Sequence, residues 1–96
     1  MDTKQKYERH MEICKELNKM YTDKNIVYGD SFGKTFCNLG AISAVTRISD
    51  KFNRLVALST GAENNITDEA IEDTLRDLAN YAIMMLIELE DVNKRV

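Results

Sequence analysis

LANYAIMMLIEL, residues 78–89, decides the fold, because only Asn80 and Glu88 interrupt an otherwise apolar run. A helix that is apolar on nearly all sides must be buried on nearly all sides. Three companion helices in so short a chain would not cover it, so we expect a partner subunit against Tyr81, Met84 and Ile87. The alternative is that this helix forms the centre of one compact bundle.

The helix that contains this run has clear boundaries in the sequence. Thr67 is a good N-cap, and Ile66 and Ile71 occupy the two positions of a hydrophobic staple. Acidic side chains fill the first turn, where the helix dipole favours negative charge, and basic side chains follow the last turn. The spacing therefore predicts a long last helix that begins after Thr67 and ends near Asn93.

Helical periodicity also predicts three earlier helices, with a polar loop between the first and the second. Proline is absent and glycine is scarce, which favours helices throughout. The predicted bounds are Lys4–Tyr21 with Thr3 as N-cap, a loop at Thr22–Asn25, Phe32–Asn38 capped by Asp30 or Ser31, and Ala41–Ser59. The core stripe predicted for the third of these helices is Ala41, Val45, Ile48, Phe52 and Leu55.

Size, charge and cysteine usage narrow the class of protein. Ninety-six residues make one small domain, residues 1–96, and the net charge of −3 argues against a general nucleic-acid binder. Cys14 and Cys37 fit no zinc spacing and no disulfide framework. No signal peptide and no apolar run of membrane length is present, so we expect a cytoplasmic protein without membrane contact. His10 stands alone, and nucleophilic catalysis has no support.

A charged face runs along the third predicted helix. Arg47, Asp50, Lys51 and Arg54 follow the i, i+3, i+4, i+7 pattern of one helix face. One interpretation is a solvated face on which Asp50 pairs with Arg47 or Arg54. The other is a site for an anion, since two arginines offer planar donors that suit phosphate.

A second polar face lies on the last helix, where Asp73, Asp77 and Asn80 share one side. Carboxylates at i and i+4 can share a divalent cation. Asp77 could equally pair with Arg47 or Arg54 of the neighbouring helix. Asn80 interrupts an apolar run, so it is either a hydrogen-bonded core amide or a ligand contact.

The segment Gly29–Thr35 resembles a phosphate-binding loop but does not match the motif. Three residues separate its glycines where the motif needs four, and the buried strand that should precede it has only a weak candidate in Asn25–Tyr28. We interpret it as the start of a helix, where Lys34 and free backbone N–H groups can still contact a phosphate. The neighbouring aromatics Tyr28 and Phe32 could stack on a base.

Three blocks of the chain together resemble a known family. Tyr28–Phe32, Ile42–Arg54 and Asp73–Ala82 are similar to the first nucleotide-modification-associated domain family, small proteins found mostly in phages and prophages. The resemblance extends over most of the chain. It implies a link to nucleotides and does not establish a reaction.

The block Asp77–Tyr81 also resembles the second motif of MazG-like all-α NTP pyrophosphatases, which implies a helical bundle of that type. Those enzymes hold Mg²⁺ with an E-x-x-E pair on one helix and an E-x-x-D pair on the next. Here the first pair is missing, and Thr74 stands where the second pair needs a carboxylate. Because Mg²⁺ ions that bridge phosphates need several converging carboxylates, we expect nucleotide binding without hydrolysis and without a cofactor.

The sequence thus predicts an all-α, MazG-like bundle of three long helices and one short helix, assembled as a dimer or tetramer, that binds a nucleotide. A small phage-type protein of this kind would sequester its ligand in the host cytoplasm. The specific ligand we expect is a cyclic oligonucleotide immune signal, as in CBASS defence. The predicted ligand-binding residues are Arg47, Lys51 and Arg54 for phosphate, Asp50 beside them, Asp77 and Asn80 for positioning or base reading, Tyr28 or Phe32 for stacking, and Lys34.

Two alternatives remain open. One is a Mg²⁺-dependent nucleotide pyrophosphatase that uses Asp50, Asp73 and Asp77, with Glu69 as a further carboxylate. The other is an accessory subunit of a nucleotide-modification complex, with no ligand of its own.

Overall fold

The computed structural model describes residues 1–61 and 67–94, and this part of the chain is helical with no strand. It contains three long helices and one short one, which confirms the all-α prediction. The helices are α1 (Thr3–Tyr28), α2 (Ser31–Leu39), α3 (Ala41–Ser59) and α4 (Asp68–Lys94). None of the described helices is both long enough and apolar enough to cross a membrane.

The chain divides into two compact units, Met1–Ser31 and Phe32–Val96. The first unit is α1 with its two ends. Its N-cap is Asp2, one residue before the predicted Thr3. The Asp2 carboxylate accepts from the backbone N–H of Gln5, and the Gln5 side chain accepts from the N–H of Asp2. This reciprocal capping box satisfies two N–H groups that the first turn leaves unpaired, which explains why the helix begins here.

The loop predicted at residues 22–25 is wrong, since α1 continues through it to Tyr28. Thr22 donates its hydroxyl back to the carbonyl of Asn18, and Lys19 lies 2.8 Å from Asp23 one turn later. The hydrogen bond to Asp23 raises the pKa of Lys19. The Lys19–Asp23 pair supports the helix at i, i+4 spacing, and the Thr22 hydroxyl bonds a carbonyl of the preceding turn in a way that a helix accommodates.

The first unit ends where the backbone turns left-handed at two successive residues. Gly29 has φ 60° and ψ 43°, and Asp30 has φ 57°. The N–H groups of both residues donate to the carbonyl of Asn25. Glycine adopts this conformation without steric cost, and aspartate is among the residues that tolerate it best. This pair of residues, and not the polar stretch before it, stops α1.

Gly40 joins α2 to α3. Its φ of 81° and ψ of −173° lie in a backbone region that essentially only glycine occupies. The Gly40 N–H donates to the carbonyl of Phe36, and the Ser43 hydroxyl donates to the carbonyl of Gly40. A one-residue joint is thus hydrogen-bonded on both sides, and it sets the direction in which α3 leaves α2.

Helices α3 and α4 pack against each other in antiparallel fashion. Arg47 contacts Tyr81 and Lys51 contacts Asp77, so a step of one turn along α3 is a step of one turn back along α4. Buried residues of this second unit are Gly33, Phe36, Ala44, Leu58 and Thr74.

The core stripe predicted for α3 is only partly right. Ile48 and Leu55 are half-buried, but Ala41, Val45 and Phe52 are exposed, Phe52 at 55% of its surface. Ala44 and Leu58 are buried in their place, one position or more around the helix from the predicted stripe. The prediction failed because α3 carries apolar side chains on two faces, and periodicity does not say which one meets α4.

The start of α4 confirms the predicted boundary. Thr67 precedes the helix, and its hydroxyl accepts from the backbone N–H of Ala70. The predicted staple residue Ile66 lies outside the described residues. Lys94 closes the described part of the helix, one residue beyond the predicted end at Asn93.

Candidate functional site

A pocket of about 410 Å³ lies along α3 in the second unit. This volume is within the range of small-molecule sites. We call it the α3 pocket, and its lining residues are Leu39, Ile42, Ser43, Thr46, Arg47, Asp50, Lys51 and Tyr81. The pocket places two cations and one carboxylate beside apolar and aromatic surface, which suits a ligand with anionic and apolar parts.

Tyr81 of α4 anchors the cationic end of the pocket. The Arg47 guanidinium carbon lies 6.0 Å from the centroid of the Tyr81 ring. On the same ring, Phe32 stacks with a centroid separation of 6.0 Å and an interplanar angle of 20°. A cation near an aromatic ring is attracted by the ring quadrupole, so Tyr81 restrains Arg47 without neutralising its charge.

Arg47 forms no ion pair with any carboxylate in the described part of the chain. Its donors are therefore open to an anion. A guanidinium offers planar, paired N–H groups that match the oxygens of a phosphate. Arg47 is the residue of the pocket best suited to that contact.

Lys51 is placed differently, because its ammonium lies 3.0 Å from Asp77 Oδ2. Both side chains are 29% exposed, so solvent screens this pair less than it screens a surface pair. The sequence allowed Asp77 to pair with an arginine of α3, but its partner on α3 is Lys51. A phosphate that enters the pocket must compete with Asp77 for Lys51.

The pairing of Asp50 with Arg47 or Arg54, expected for a solvated face, does not occur among the described residues. Asp50 lines the α3 pocket and keeps its carboxylate exposed. Arg54 is exposed on the same helix and is not one of the pocket residues. Of the charged face predicted on α3, the structure thus brings three members, Arg47, Asp50 and Lys51, to the pocket.

Thr74 is buried, with 3% of its surface exposed, at the position where the pyrophosphatase pattern needs a carboxylate. Its hydroxyl donates to the carbonyl of Ala70 at 2.7 Å. A buried hydroxyl is costly unless it is hydrogen-bonded, and here the helix itself supplies the acceptor. Thr74 therefore serves packing between the helices.

Asp73, the next carboxylate of the alternative metal site, is exposed on α4 and does not line the pocket. Within residues 1–61 and 67–94, no three His, Cys, Asp or Glu side chains are placed to hold one metal ion. Glu69 is exposed in the first turn of α4, where it complements the helix dipole.

The other predicted ligand residues are not among the lining residues of the α3 pocket. Phe32 reaches the pocket only through its stack with Tyr81. Asn80 is half-buried on α4, and Lys34 is exposed on α2. Tyr28 belongs to the first unit and is exposed in the last turn of α1. Their roles toward a ligand stay predictions.

Sequence reasoning overlooked Tyr81 as a pocket residue, because it lies within the apolar run of α4. It also missed the wall of the pocket formed by Leu39, Ile42, Ser43 and Thr46. A signal was present, since Ser43 lies four positions before Arg47 and Thr46 lies four positions before Asp50. Both hydroxyls donate to backbone carbonyls, so they offer a ligand their lone pairs more readily than their protons.

A contact that the sequence did not predict lies on α1. The Cys14 thiol lies 3.8 Å from His10 Nδ1, one turn apart. Both residues are exposed, and Cys14 is a free cysteine. No further metal-ligating side chain of the described chain completes a group of three with them.

The described part of the chain is all-α, and its α3 pocket places two cations beside apolar surface. A comparison with family profiles matches residues 24–89 to Nucleotide modification associated domain 1. This match covers more than half of the chain and includes all of the α3 pocket, so the chain belongs to that family. Neither the curated proteins nor the solved structures gave a match.

Proposed function

We propose that the protein binds a nucleotide in the α3 pocket and holds it without hydrolysis. The observation that carries this proposal is the pocket itself, in which Arg47 and Lys51 stand beside a single carboxylate, Asp50. Phosphates are recognised chiefly by such cations, and Arg47 has no carboxylate partner among the described residues. The family's name independently connects the chain with nucleotides.

The remaining surface of the pocket fits the rest of a nucleotide. Leu39 and Ile42 form an apolar end, and the Tyr81 ring lies beside the cations. Bases bind to proteins by stacking and by apolar contact as well as by hydrogen bonds. A ligand with its base toward Ile42 and with its sugar and phosphate toward Arg47, Asp50 and Lys51 matches the apolar part and the charged part of the pocket.

The balance of charge supports retention over cleavage. Phosphoryl chemistry with Mg²⁺ needs several carboxylates that converge on the ions. The pocket presents one, Asp50, while Asp77 is paired with Lys51 and the α4 position that could add another holds Thr74. Cations that contact phosphate directly hold it in place but generate no nucleophile.

As the specific ligand we propose a cyclic oligonucleotide signal, which a phage-type protein would sequester in the cytoplasm of its host. Such a ligand carries two or more phosphates on a ring with no terminal phosphate to release. The α3 pocket offers cations for phosphate and no carboxylate cluster for Mg²⁺. Such a pocket suits a cyclic oligonucleotide better than a triphosphate substrate. This assignment extends the proposal beyond the family relationship, and the ligand identified in the experiment below tests it.

We further propose that the protein acts as a homo-oligomer. Four apolar side chains on α3 are exposed at heptad spacing: Ile42, Val45, Phe52 and Val56. A stripe of this spacing is the seam by which helices of two subunits pack. Since Ile42 also lines the α3 pocket, a second copy on this stripe would border the ligand.

One experiment separates the three functions. The purified protein is incubated with nucleoside triphosphates and cyclic dinucleotides, with and without Mg²⁺, then desalted, heated and analysed for released compounds. Recovery of an intact nucleotide after heating supports sequestration, and a cyclic ligand supports the specific assignment. Products that form only with Mg²⁺ would show a pyrophosphatase and overturn the proposal. Neither retention nor turnover would favour an accessory subunit.

A further inference from the structure

Asp50 is the group of the α3 pocket that phosphate binding does not explain. Its carboxylate lines the pocket, is exposed and makes no ion pair with a described residue, although Lys51 is its neighbour and Arg47 lies one turn away. A carboxylate next to a phosphate site repels the phosphate. Its position is favourable only if the ligand also offers a hydrogen-bond donor at this point.

The position of Asp50 along the helix decides which donor that is. With a rise of ~1.5 Å per residue, Asp50 is only about 4.5 Å from Arg47 and about 1.5 Å from Lys51 along the helix axis. In a nucleotide the ribose hydroxyls are on the sugar that carries the phosphate, whereas the hydrogen-bonding edge of the base lies at the far side of the base. Ile42 at the apolar end is about 12 Å from Asp50 along the axis. Asp50 is therefore placed for the sugar and not for the base.

Given the proposed nucleotide site, on which this inference rests, we infer that Asp50 accepts a hydrogen bond from the ribose 2′-hydroxyl of the bound nucleotide. The natural ligand is then a ribonucleotide and not a deoxyribonucleotide. An acidic side chain that accepts from the ribose 2′-hydroxyl is a recurrent solution in nucleotide sites. The 2′-hydroxyl is also the group by which proteins distinguish ribose from deoxyribose.

The test is calorimetric titration of the whole protein with matched pairs, namely ATP with dATP and cyclic di-AMP with its 2′-deoxy analogue. We expect the ribose member of at least one pair to bind about 10- to 100-fold more tightly, as for a charge-assisted hydrogen bond. In Asp50→Ala this preference should fall to about twofold or less, while Asp73→Ala, an exposed carboxylate outside the pocket, retains it. Circular dichroism confirms that both variants are folded.

The outcomes separate this inference from the proposed function. Equal affinity of the normal protein for ribose and deoxyribose ligands overturns the role of Asp50 and leaves nucleotide binding intact. A preference for ribose that survives Asp50→Ala assigns the discrimination to another group and also overturns it. If no nucleotide binds at all, the proposed function fails, and this inference fails with it.

Discussion

The Nζ atom of Lys51 lies 3.0 Å from Oδ2 of Asp77, so a cation that would hold a phosphate already holds a carboxylate. This pair connects α3 with α4 at the edge of the α3 pocket. A ligand that recruits Lys51 must weaken a contact between the two helices. Such a ligand would therefore compete with Asp77 of α4 for the Lys51 ammonium group.

Asp77→Asn should improve nucleotide binding while it destabilises the protein. Removing the carboxylate charge releases Lys51, and a pair worth about 0.5–1 kcal/mol corresponds to a two- to fivefold gain in affinity. The free energy of unfolding should fall by a similar amount. Calorimetric titration and urea denaturation measure the two effects. Loss of affinity would instead show that Asp77 contacts the ligand, as the sequence predicted, and Asp73→Asn serves as the matched control.

Arg47→Ala and Arg54→Ala should differ sharply, although the two arginines are on the same helix. Arg47 lines the pocket and Arg54 does not. We expect loss of Arg47 to weaken nucleotide binding by about 10- to 100-fold, the value of a charge-assisted hydrogen bond, and loss of Arg54 to change it by about twofold or less. Fluorescence titration with a labelled nucleotide measures both. Equal losses would mean that the ligand follows the whole charged face of α3.

Tyr81→Leu should reduce both stability and binding, and Tyr81→Phe should reduce neither. The ring contacts Phe32 and Arg47, and these aromatic and cation–π contacts together contribute about 1–2 kcal/mol beyond apolar burial. Phenylalanine keeps the ring and leucine removes it. Thermal unfolding with and without nucleotide reports both effects. A large loss in Tyr81→Phe would assign the role to the phenol hydroxyl.

Gly40→Ala should destabilise the protein by about 1–3 kcal/mol through backbone strain alone. A Cβ atom at Gly40 would meet nothing within 4 Å, so no steric clash contributes. The cost comes from the φ of 81° and ψ of −173° that the joint requires. Chemical denaturation measures it, with Asn38→Ala on exposed α2 surface as a control. Unchanged stability would show that α2 and α3 can be joined in another way.

Phe52→Asp should dissociate the proposed oligomer without unfolding the chain. Phe52 is 55% exposed and at the centre of the heptad stripe on α3, so a charge there costs little in the isolated chain and much in a subunit contact. Light scattering after size-exclusion chromatography measures the mass, and Asn53→Asp provides a neighbouring control. An unchanged mass for Phe52→Asp would exclude this stripe as the interface.

Two helix starts were predictable because a capping residue or a glycine directly precedes the helix. Thr67 caps α4 and Gly40 precedes α3, and both boundaries agree with the sequence prediction. The end of α1 did not agree, because Thr22 and Asp23 make hydrogen bonds within the helix, although their residue types are also common in loops. The decisive signal was Gly29, seven residues beyond Thr22.

The sequence predicted only those charged pocket residues that share one face of a single helix. Arg47, Asp50 and Lys51 share a face of α3 by periodicity, and the structure brings all three to the pocket. Tyr81 and the partner of Lys51 depend on the register between α3 and α4. Register is a property of two packed surfaces, and no pattern within either helix determines it.

The register between α3 and α4 shows which kind of interaction selects the alignment of the two helices. Sliding α4 by one turn would bring Arg47 opposite Asp77 and Lys51 opposite Asp73, which would give these four side chains two ion pairs where the observed arrangement makes one. Ion pairing among these four side chains therefore does not select the observed alignment. We expect burial of residues such as Ala44 and Thr74 to select it instead. Arg47 thus remains without a carboxylate partner among the described residues, although an alternative alignment would supply one.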